Sequence, residues 1–296
     1  MKKITVFTPT YNRAYCLHQV YESLIRQSNQ NFCWLIVDDG SNDNTKELVR
    51  CWNKDGKIEI IYIFQKNQGM HGAHNTAYAN IETELNICID SDDFLPNNAI
   101  ALILEKWEAV KEDDSIAGIV GLDADKNRNI IGTAIPKELK RCTLSGLYQN
   151  HGVKGDKKLV YRTDIVKKYP PYPIFKGERF VPLDYLYLLI DQDYHLAPLN
   201  EVLIIVDYQL DGSTLNIFKQ YRKNPRGFAF SRISRIQYGY TFKERFKNCI
   251  HLVSSLFLLK DISLVYNINK TLLLLSLPFG LALFFYIRIK TYKNYE

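Results

Sequence analysis

An α/β protein with a mostly parallel central sheet covered by helices on both faces is what this 296-residue sequence predicts. Three observations carry that expectation. Over the first 115 residues short β-rich runs alternate with amphipathic helical stretches, the pattern of βαβ units. The β-rich runs are almost unbroken in apolar residues, as strands buried on both faces are. The composition, 46% hydrophobic, 24% charged and 13% aromatic, belongs to a chain that buries a sizeable core, which excludes disordered, collagen-like and coiled-coil classes.

Taken in order, residues 4–9 (ITVFTP) form the first predicted strand, and Leu17, Val20, Tyr21, Leu24 and Ile25 then recur at helical spacing up to Gln27. A second strand at 32–39 (FCWLIVDD) precedes a helix that Ser41 or Asn42 can cap, with Asp43 in its first turn. A third strand at 57–64, a helix over about 72–81 and a fourth strand at 85–90 follow. Pro96 then opens a helix whose face shows Ile100, Ile103, Leu104, Trp107 and Val110. From 116 to about 210 the pattern is less regular, with strands predicted at 116–122, 158–162 and 201–208 and a helix across GERFVPLDYLYLLIDQDY. Beyond 214 it becomes helical, basic and finally apolar. The expected organisation is a domain over 1–212, in halves 1–115 and 116–212, with a helical appendage over 213–296.

Charge is unevenly placed. Between 215 and 250 nine basic residues stand against the single acid Glu244, so that stretch carries +8 of a net +6 and the remainder sums to −2. Such a block among aromatics suits nucleic-acid phosphates or an anionic membrane surface. The apolar run that follows, 272–287 (LLLLSLPFGLALFFYI), favours the membrane and argues against nucleic acid. At 16 residues it is short of the ~20 that span a bilayer, which points to an interfacial or dipping segment; a buried core helix is the other use of such a run. The six cysteines show no metal-site or disulfide spacing and read as reduced thiols. The opening MKKITVFTPT lacks a signal-peptide apolar core, so the chain is expected in the cytoplasm, peripheral or monotopic on the inner membrane face.

The chemistry concentrates at the predicted strand ends. Asp90-Ser91-Asp92-Asp93 crowds carboxylates whose repulsion a divalent cation would relieve, and oxygen-only ligands favour Mg²⁺ or Mn²⁺. A calcium-loop reading fails because its sixth and twelfth positions would be Leu95 and Ala101. Asp38-Asp39-Gly40-Ser41 supplies two more acids at the neighbouring strand end, where an acid accepting a base N–H beside an aromatic such as Tyr11 makes a nucleoside pocket. Capping the following helix is the alternative use of either acidic cluster. Neither the dinucleotide nor the P-loop glycine pattern occurs, so phosphate would be held through the metal.

These motifs together resemble family 2 glycosyltransferases of the GT-A fold, of the bacterial type that builds capsular or O-antigen polysaccharide. Thr8 to Arg13 is similar to that family's opening strand and loop, Asp38 to Ser41 to its second element, NQGMHGAHN at 67–75 to its Asn-x-Gly…Ala-x-Asn segment, and Asp90 to Asp93 to its D-x-D element. The resemblance implies that Thr8, Pro9, Tyr11 and Asp39 bind the nucleotide part of a nucleotide-sugar, that Asp90 meets ribose or sugar, and that Asp92 holds the metal. Met70 stands where a lysine is common, and the family's acidic pair appears as Leu183-Asp184, making Asp184 the expected base with Glu178 as runner-up and Asp191 third. His71 and His74 read first as packed or helix-surface histidines. The implied activity is inverting transfer from a UDP-sugar to a lipid-linked saccharide. Two rivals remain: a nucleotidyltransferase, which lacks its glycine-rich basic loop here, and a non-catalytic sugar-nucleotide-binding partner of another transferase.

Overall fold

The computed structural model describes residues 2–207, 217–261, 263–265 and 268–292. The expected segments at 208–216 and 293–296 lie outside them. The chain divides into two compact units, one of Met1–Pro170 with Ile190–Tyr208 and one of Pro171–Leu189 with Gln209–Glu296. The segment 171–189, which the sequence pattern assigns to the first domain, thus groups with the C-terminal helices.

The first unit is built on strands β1 (Ile4–Thr10), β2 (Phe32–Asp38), β3 (Ile60–Phe64), β4 (Leu85–Cys88), β5 (Ile116–Ala124), β6 (Lys157–Arg162) and β7 (His195–Ile205). They form one sheet in the order β3-β2-β1-β4-β6-β5-β7. β1 pairs in parallel with β2 and with β4, so the chain winds outward to β3 and then returns to the other side of β1. Such a reversal is where ligands bind in open α/β sheets. β6 runs antiparallel to both neighbours, and β7 is parallel to β5. The sheet is mixed and mostly parallel, as its apolar runs predict.

Side chains of the central strands divide between two layers with the period of two that a strand imposes. Ile4, Val6, Trp34, Ile36, Ile87 and Ile89 join one core with Leu17, Val20, Tyr21 and Leu24 of α1 (Ala14–Ile25), Trp52 of α2 (Thr45–Asp55) and Ile100, Ile103 and Trp107 of α4 (Ala99–Glu108). Phe7, Leu35 and Val37 face the opposite way, onto Ala73 and Ala77 of α3 (Met70–Asn80). α3 is small-residue-rich because it lies close against the sheet. Trp34 centres the first layer: its indole N–H donates to the Thr8 hydroxyl at 3.0 Å, and its ring meets Trp52, on which Tyr21 stacks at 4.5 Å. Three short elements complete the unit, α5 (Leu144–Gln149), α6 (Thr163–Val166) and the end of α7 (Asp184–Asp193).

Local expectations differ at two points. α2 starts at Thr45, not after Ser41 or Asn42: the Asp43 carboxylate accepts from the Thr45 N–H and hydroxyl, and Ser41 is drawn to the Asn12 backbone. The helix expected across 177–194 begins only at Asp184. Ahead of it the chain turns at Lys176–Gly177, Glu178 is turned toward another helix end, and Pro182 has no N–H to continue a helix ladder.

The second unit holds the opening of α7, α8 (Ile217–Lys223), α9 (Pro225–Tyr238), α10 (Phe242–Leu259) and α11 (Lys270–Lys290). Ala229, Ile236, Cys249, Leu252, Leu256, Ile268 and Leu272 form its core. Thr241 caps α10 by accepting the Glu244 N–H, and Glu244 reaches back to the Tyr240 N–H, satisfying two helix-end donors reciprocally. Asn269 caps α11 through the Leu272 N–H. The apolar run is longer as a helix than as a sequence, because Lys270–Thr271 and Arg288–Lys290 continue it to 21 residues, enough by length and composition to cross a membrane. Gly280 brings it close to α10, where an added Cβ would stand 2.4 Å from a Val253 methyl carbon.

Removing the Trp34 side chain vacates the centre of the first layer and leaves the Thr8 hydroxyl without its donor. Trp34→Ala is expected to lower unfolding free energy by about 3–5 kcal/mol, read from urea denaturation followed by circular dichroism. A loss below ~1 kcal/mol would show that Tyr21 and Trp52 collapse into the space.

Candidate active site

Parallel pairing of β1 to β4 sends four polar loops out of the same sheet edge: 11–13 after β1, 39–44 after β2, 65–69 after β3 and 89–98 after β4. The first two are stitched together. The Asn12 N–H donates to Ser41 Oγ at 2.8 Å, the Asn42 N–H to Asn12 Oδ1 at 2.8 Å, and the Ala14 N–H to Asp43 Oδ2 at 3.0 Å. Asn12 adopts a left-handed backbone, φ 53°, which its short polar side chain tolerates. Gly40 is at φ +88°, and a Cβ there would press to 3.0 Å on the Asn67 backbone nitrogen, so the DDGS turn needs glycine.

Asp38 and Asp39 are buried and serve this framework. Asp38 accepts from the Ser41 N–H at 2.8 Å and the Tyr62 hydroxyl at 2.6 Å. Burial and the Asp38 carboxylate raise the Tyr62 phenol above its ordinary value. Asp39 accepts from Gln65 Nε2 at 2.7 Å and from the Gln68 and Gly69 N–H groups at 2.8 and 2.7 Å, fixing the chain as it enters α3. Of the other expected nucleotide contacts, Thr8 is buried with its hydroxyl engaged by Trp34, so its side chain serves the core, while Tyr11 is exposed at the loop tip. His71 and His74 are buried in α3; burial first, then Lys158, pushes the His74 imidazole down to about 3, leaving it neutral and packed edge-on to Phe7. They belong to the core, as packed histidines.

The acidic tetrapeptide is electrically frustrated. Burial and then Asp90 raise Asp92 above the usual carboxylate range, and the same two causes push Asp93 up to about 8. Asp93 accepts the Asp207 N–H at 3.1 Å, and reciprocal backbone bonds between Phe94 and Ile205 pin this loop to the end of β7. Two groups that sequence spacing did not single out join the cluster. Asp123 of β5 is buried and pushed up to about 6 by burial. Burial pulls half-buried Lys158 of β6 down, but Asp123, Cys88, Asp90 and Asp93 outweigh it and raise the ammonium above its ordinary value. The antiparallel register that sets Lys158 opposite Gly121 brings them together, and no local motif announces it.

The donor set suits a hard divalent cation: oxygen atoms only, on carboxylates that burial and then Asp90 raise above their ordinary range. Among the described residues no three His, Cys, Asp or Glu side chains converge as ligands. The chain would therefore supply one or two carboxylates and leave the remaining positions to phosphate oxygens and water, the habit of Mg²⁺ and Mn²⁺ sites.

The three expected bases have different surroundings. In the second unit, Asp184 at the first turn of α7 accepts from Ser231 Oγ at 3.2 Å and pairs with Arg235, which also reaches Glu244 at 3.5 Å. Glu178 is buried, and its two oxygens accept the Arg226 and Gly227 N–H groups at 3.0 and 2.8 Å, capping α9 behind Pro225. In the first unit, Asp191 caps α5 through the Leu144 and Ser145 N–H groups at 2.9 and 2.7 Å, and burial raises its carboxyl.

Comparisons with known proteins agree with this architecture. A family model described as glycosyl transferase family 2 matches residues 5–169. An uncharacterized glycosyltransferase of Rickettsia bellii is 32% identical over 106 residues, 36% of this chain but 15% of its own length, so the chain spans a small part of that relative. The Escherichia coli UDP-Glc:alpha-D-GlcNAc-diphosphoundecaprenol beta-1,3-glucosyltransferase WfgD is 25% identical over 223 residues, 74% of this chain and 83% of that protein. Among solved structures, Staphylococcus aureus TarS 1-349 in complex with UDP-GlcNAc superposes with a TM-score of 0.62 at 17% identity, covering 99% of this chain and 89% of that one. The mannosyltransferase PcManGT of Pyrobaculum calidifontis with GDP-Man and Mn²⁺ gives 0.57 at 16% identity, covering 98% and 83%. The GT-A architecture expected from the motifs is shared with these folds. With more than half of its length matched by the family model, the chain belongs to glycosyl transferase family 2.

Proposed function

We propose that this chain is an inverting glycosyltransferase that moves a sugar from a nucleotide-sugar, a UDP-sugar, to a lipid-linked saccharide at the cytoplasmic membrane surface, in bacterial cell-surface polysaccharide synthesis. The observation that carries the proposal is the half-buried, crowded acid cluster of 90–93 at the reversal point of the sheet in a family 2 chain. Support for the donor and acceptor comes from similarity to a UDP-Glc-dependent enzyme whose printed acceptor is a diphosphoundecaprenol saccharide, and from a fold shared with a UDP-GlcNAc complex. The Mn²⁺ in the mannosyltransferase structure supports a divalent metal, Mn²⁺ or Mg²⁺.

In this reading Pro9 and Tyr11 border the base, with Asp39 setting the loop that receives it and Thr8 supporting the strand from the core side. Asp90 orients ribose or sugar, and Asp92 holds the metal. When bound, the ion supplies Lewis-acid stabilisation of the departing nucleoside diphosphate. Asp184 takes the proton from the acceptor hydroxyl as that oxygen attacks the anomeric carbon from the side opposite the diphosphate. Its bonds to Ser231 and Arg235 hold the carboxylate in one orientation. Glu178, with both oxygens committed to a helix end, suits a structural role better.

Three outcomes test these roles. Asp92→Asn should eliminate the Mn²⁺- or Mg²⁺-dependent release of UDP from a UDP-sugar panel and weaken Mn²⁺ binding measured by electron paramagnetic resonance; wild-type turnover that survives chelation would refute the metal assignment. Asp184→Asn should cut transfer by at least ~10²-fold while UDP titration is nearly unchanged. Glu178→Gln should lower stability by about 1–2 kcal/mol and leave most of the turnover of folded protein; loss of transfer in this variant alone would move the base to Glu178. A wild-type chain that binds UDP yet turns over no donor would favour the non-catalytic reading.

A further inference from the structure

The inference concerns what holds the proposed base in place, and it rests on the assignment of Asp184 to that role. Both oxygens of the Asp184 carboxylate are engaged, by unlike partners. Ser231 Oγ donates to Oδ1 at 3.2 Å, a long bond between oxygens, and a hydroxyl hydrogen turns to suit its neighbours. Arg235 Nε donates to Oδ2 and forms an ion pair there. Charge-assisted bonds of this kind are roughly twice as strong as neutral ones. One oxygen is gripped and the other is lightly held.

Arg235 is gripped in turn. Its Nη1 lies 3.5 Å from Glu244 Oε1, and the other Glu244 oxygen accepts the Tyr240 N–H at 3.1 Å within the reciprocal cap that opens α10. The Glu244 side chain is only 12% exposed, and those of Arg235 and Asp184 are 34% and 27% exposed, so water screens these contacts less than it screens a pair on the open surface. A line of alternating charge thus runs from the first turn of α7 through α9 to the first turn of α10, all within the second unit. Arg232, three residues earlier on α9, is committed elsewhere: Nη1 donates to Asn248 Oδ1 at 2.9 Å and Nη2 to the Tyr221 hydroxyl at 3.4 Å. The hold on Asp184 therefore falls to Arg235.

An aspartate side chain turns about two bonds, so a fixed α7 does not by itself fix the carboxylate. Misplacing a reacting group by about 1 Å costs on the order of 10²-fold in rate. We infer that Arg235 is the positioning residue of the base: its grip on Oδ2 sets the plane of the carboxylate and leaves Oδ1 as the atom that takes the acceptor proton. In that step the acceptor O–H bond breaks and its proton goes to Oδ1. The electron pair left on the acceptor oxygen forms the new bond to the anomeric carbon, and the nucleoside diphosphate leaves with the pair of the bond it had. Ser231 reverses its role and accepts from the protonated Oδ1. Arg235 keeps its own protons throughout.

The test follows UDP released from UDP-glucose, UDP-galactose and UDP-N-acetylglucosamine by the full chain, with water as the acceptor, beside UDP titration and thermal unfolding. Arg235→Met should lower kcat about 10- to 100-fold while donor KM and UDP affinity change less than about 2-fold. Arg235→Lys, which keeps a single point charge, should recover part of that loss. A residue that only braced the helices would lower thermal stability without this split. In an Asp184→Asn background Arg235→Met should cost nothing further, because it acts through that carboxylate alone. The same loss in both backgrounds, or an unchanged kcat in Arg235→Met, would overturn the inference. Should Arg235→Met not fold, Glu244→Gln takes its place: it loosens Arg235, and should lower kcat severalfold in the otherwise unchanged chain while leaving the residual turnover of Asp184→Asn as it is. Full turnover by Asp184→Asn, or none by the wild type, would overturn the base assignment beneath it. An inactive Asp184→Asn beside a fully active Arg235→Met would leave that assignment standing and remove only the role of Arg235.

Discussion

Gathering carboxylates at one edge of a sheet is the costliest arrangement in this chain, and the site is organised around it. Parallel pairing of β1 with β2 and β4 delivers Asp38, Asp39 and the 90–93 loop to the same edge, where burial removes the water that would screen them. The strain is relieved unevenly. Asp38 and Asp39 are paid in hydrogen bonds from Ser41, Tyr62, Gln65 and the entry to α3. Asp92 and Asp93 are left raised, with Lys158 as the nearby compensating charge that acts on Asp93.

That division separates acids fixed by hydrogen bonds from acids left without such partners' compensation. A carboxylate accepting two or three N–H or O–H groups is fixed in place. Asp39 thereby holds the approach to α3, and the stitching between Asn12 and Ser41–Asp43 keeps the loops after β1 and β2 in one arrangement. Preorganisation of this kind lowers the ordering cost of binding. The tetrapeptide at the end of β4 keeps its electrostatic frustration, which a cation and a diphosphate can resolve together.

The same contrast recurs among the later acids. Glu178 and Asp191 close the N-termini of α9 and α5, whose first N–H groups would otherwise be buried without acceptors. Asp184 is held by side chains, Ser231 and Arg235, and not by a helix end. In the second unit apolar packing is concentrated on the side of α10 shared by α9 and α11, so the outer arc of α11 has no protein partner among the described residues.

The sequence by itself determined the sheet and its polar edge. Unbroken apolar strands such as FCWLIVD, and helices marked by Leu17–Leu24 and Ile100–Trp107, are local patterns, because period and burial are written residue by residue. The acidic pairs at 38–39 and 90–93 were equally visible, since they follow those strands directly. Tertiary structure alone decided what each acid does. Lys158 and Asp123 reach the cluster only because β6 and β5 pair beyond β4, across a separation of more than thirty residues. Glu178 is a cap only because α9 starts 47 residues later, and Ser41 is no cap because Asn12 claims it. Contacts distant in sequence carry these decisions, because a side chain's hydrogen-bond partners and dielectric surroundings are properties of the packed chain and not of its local pattern.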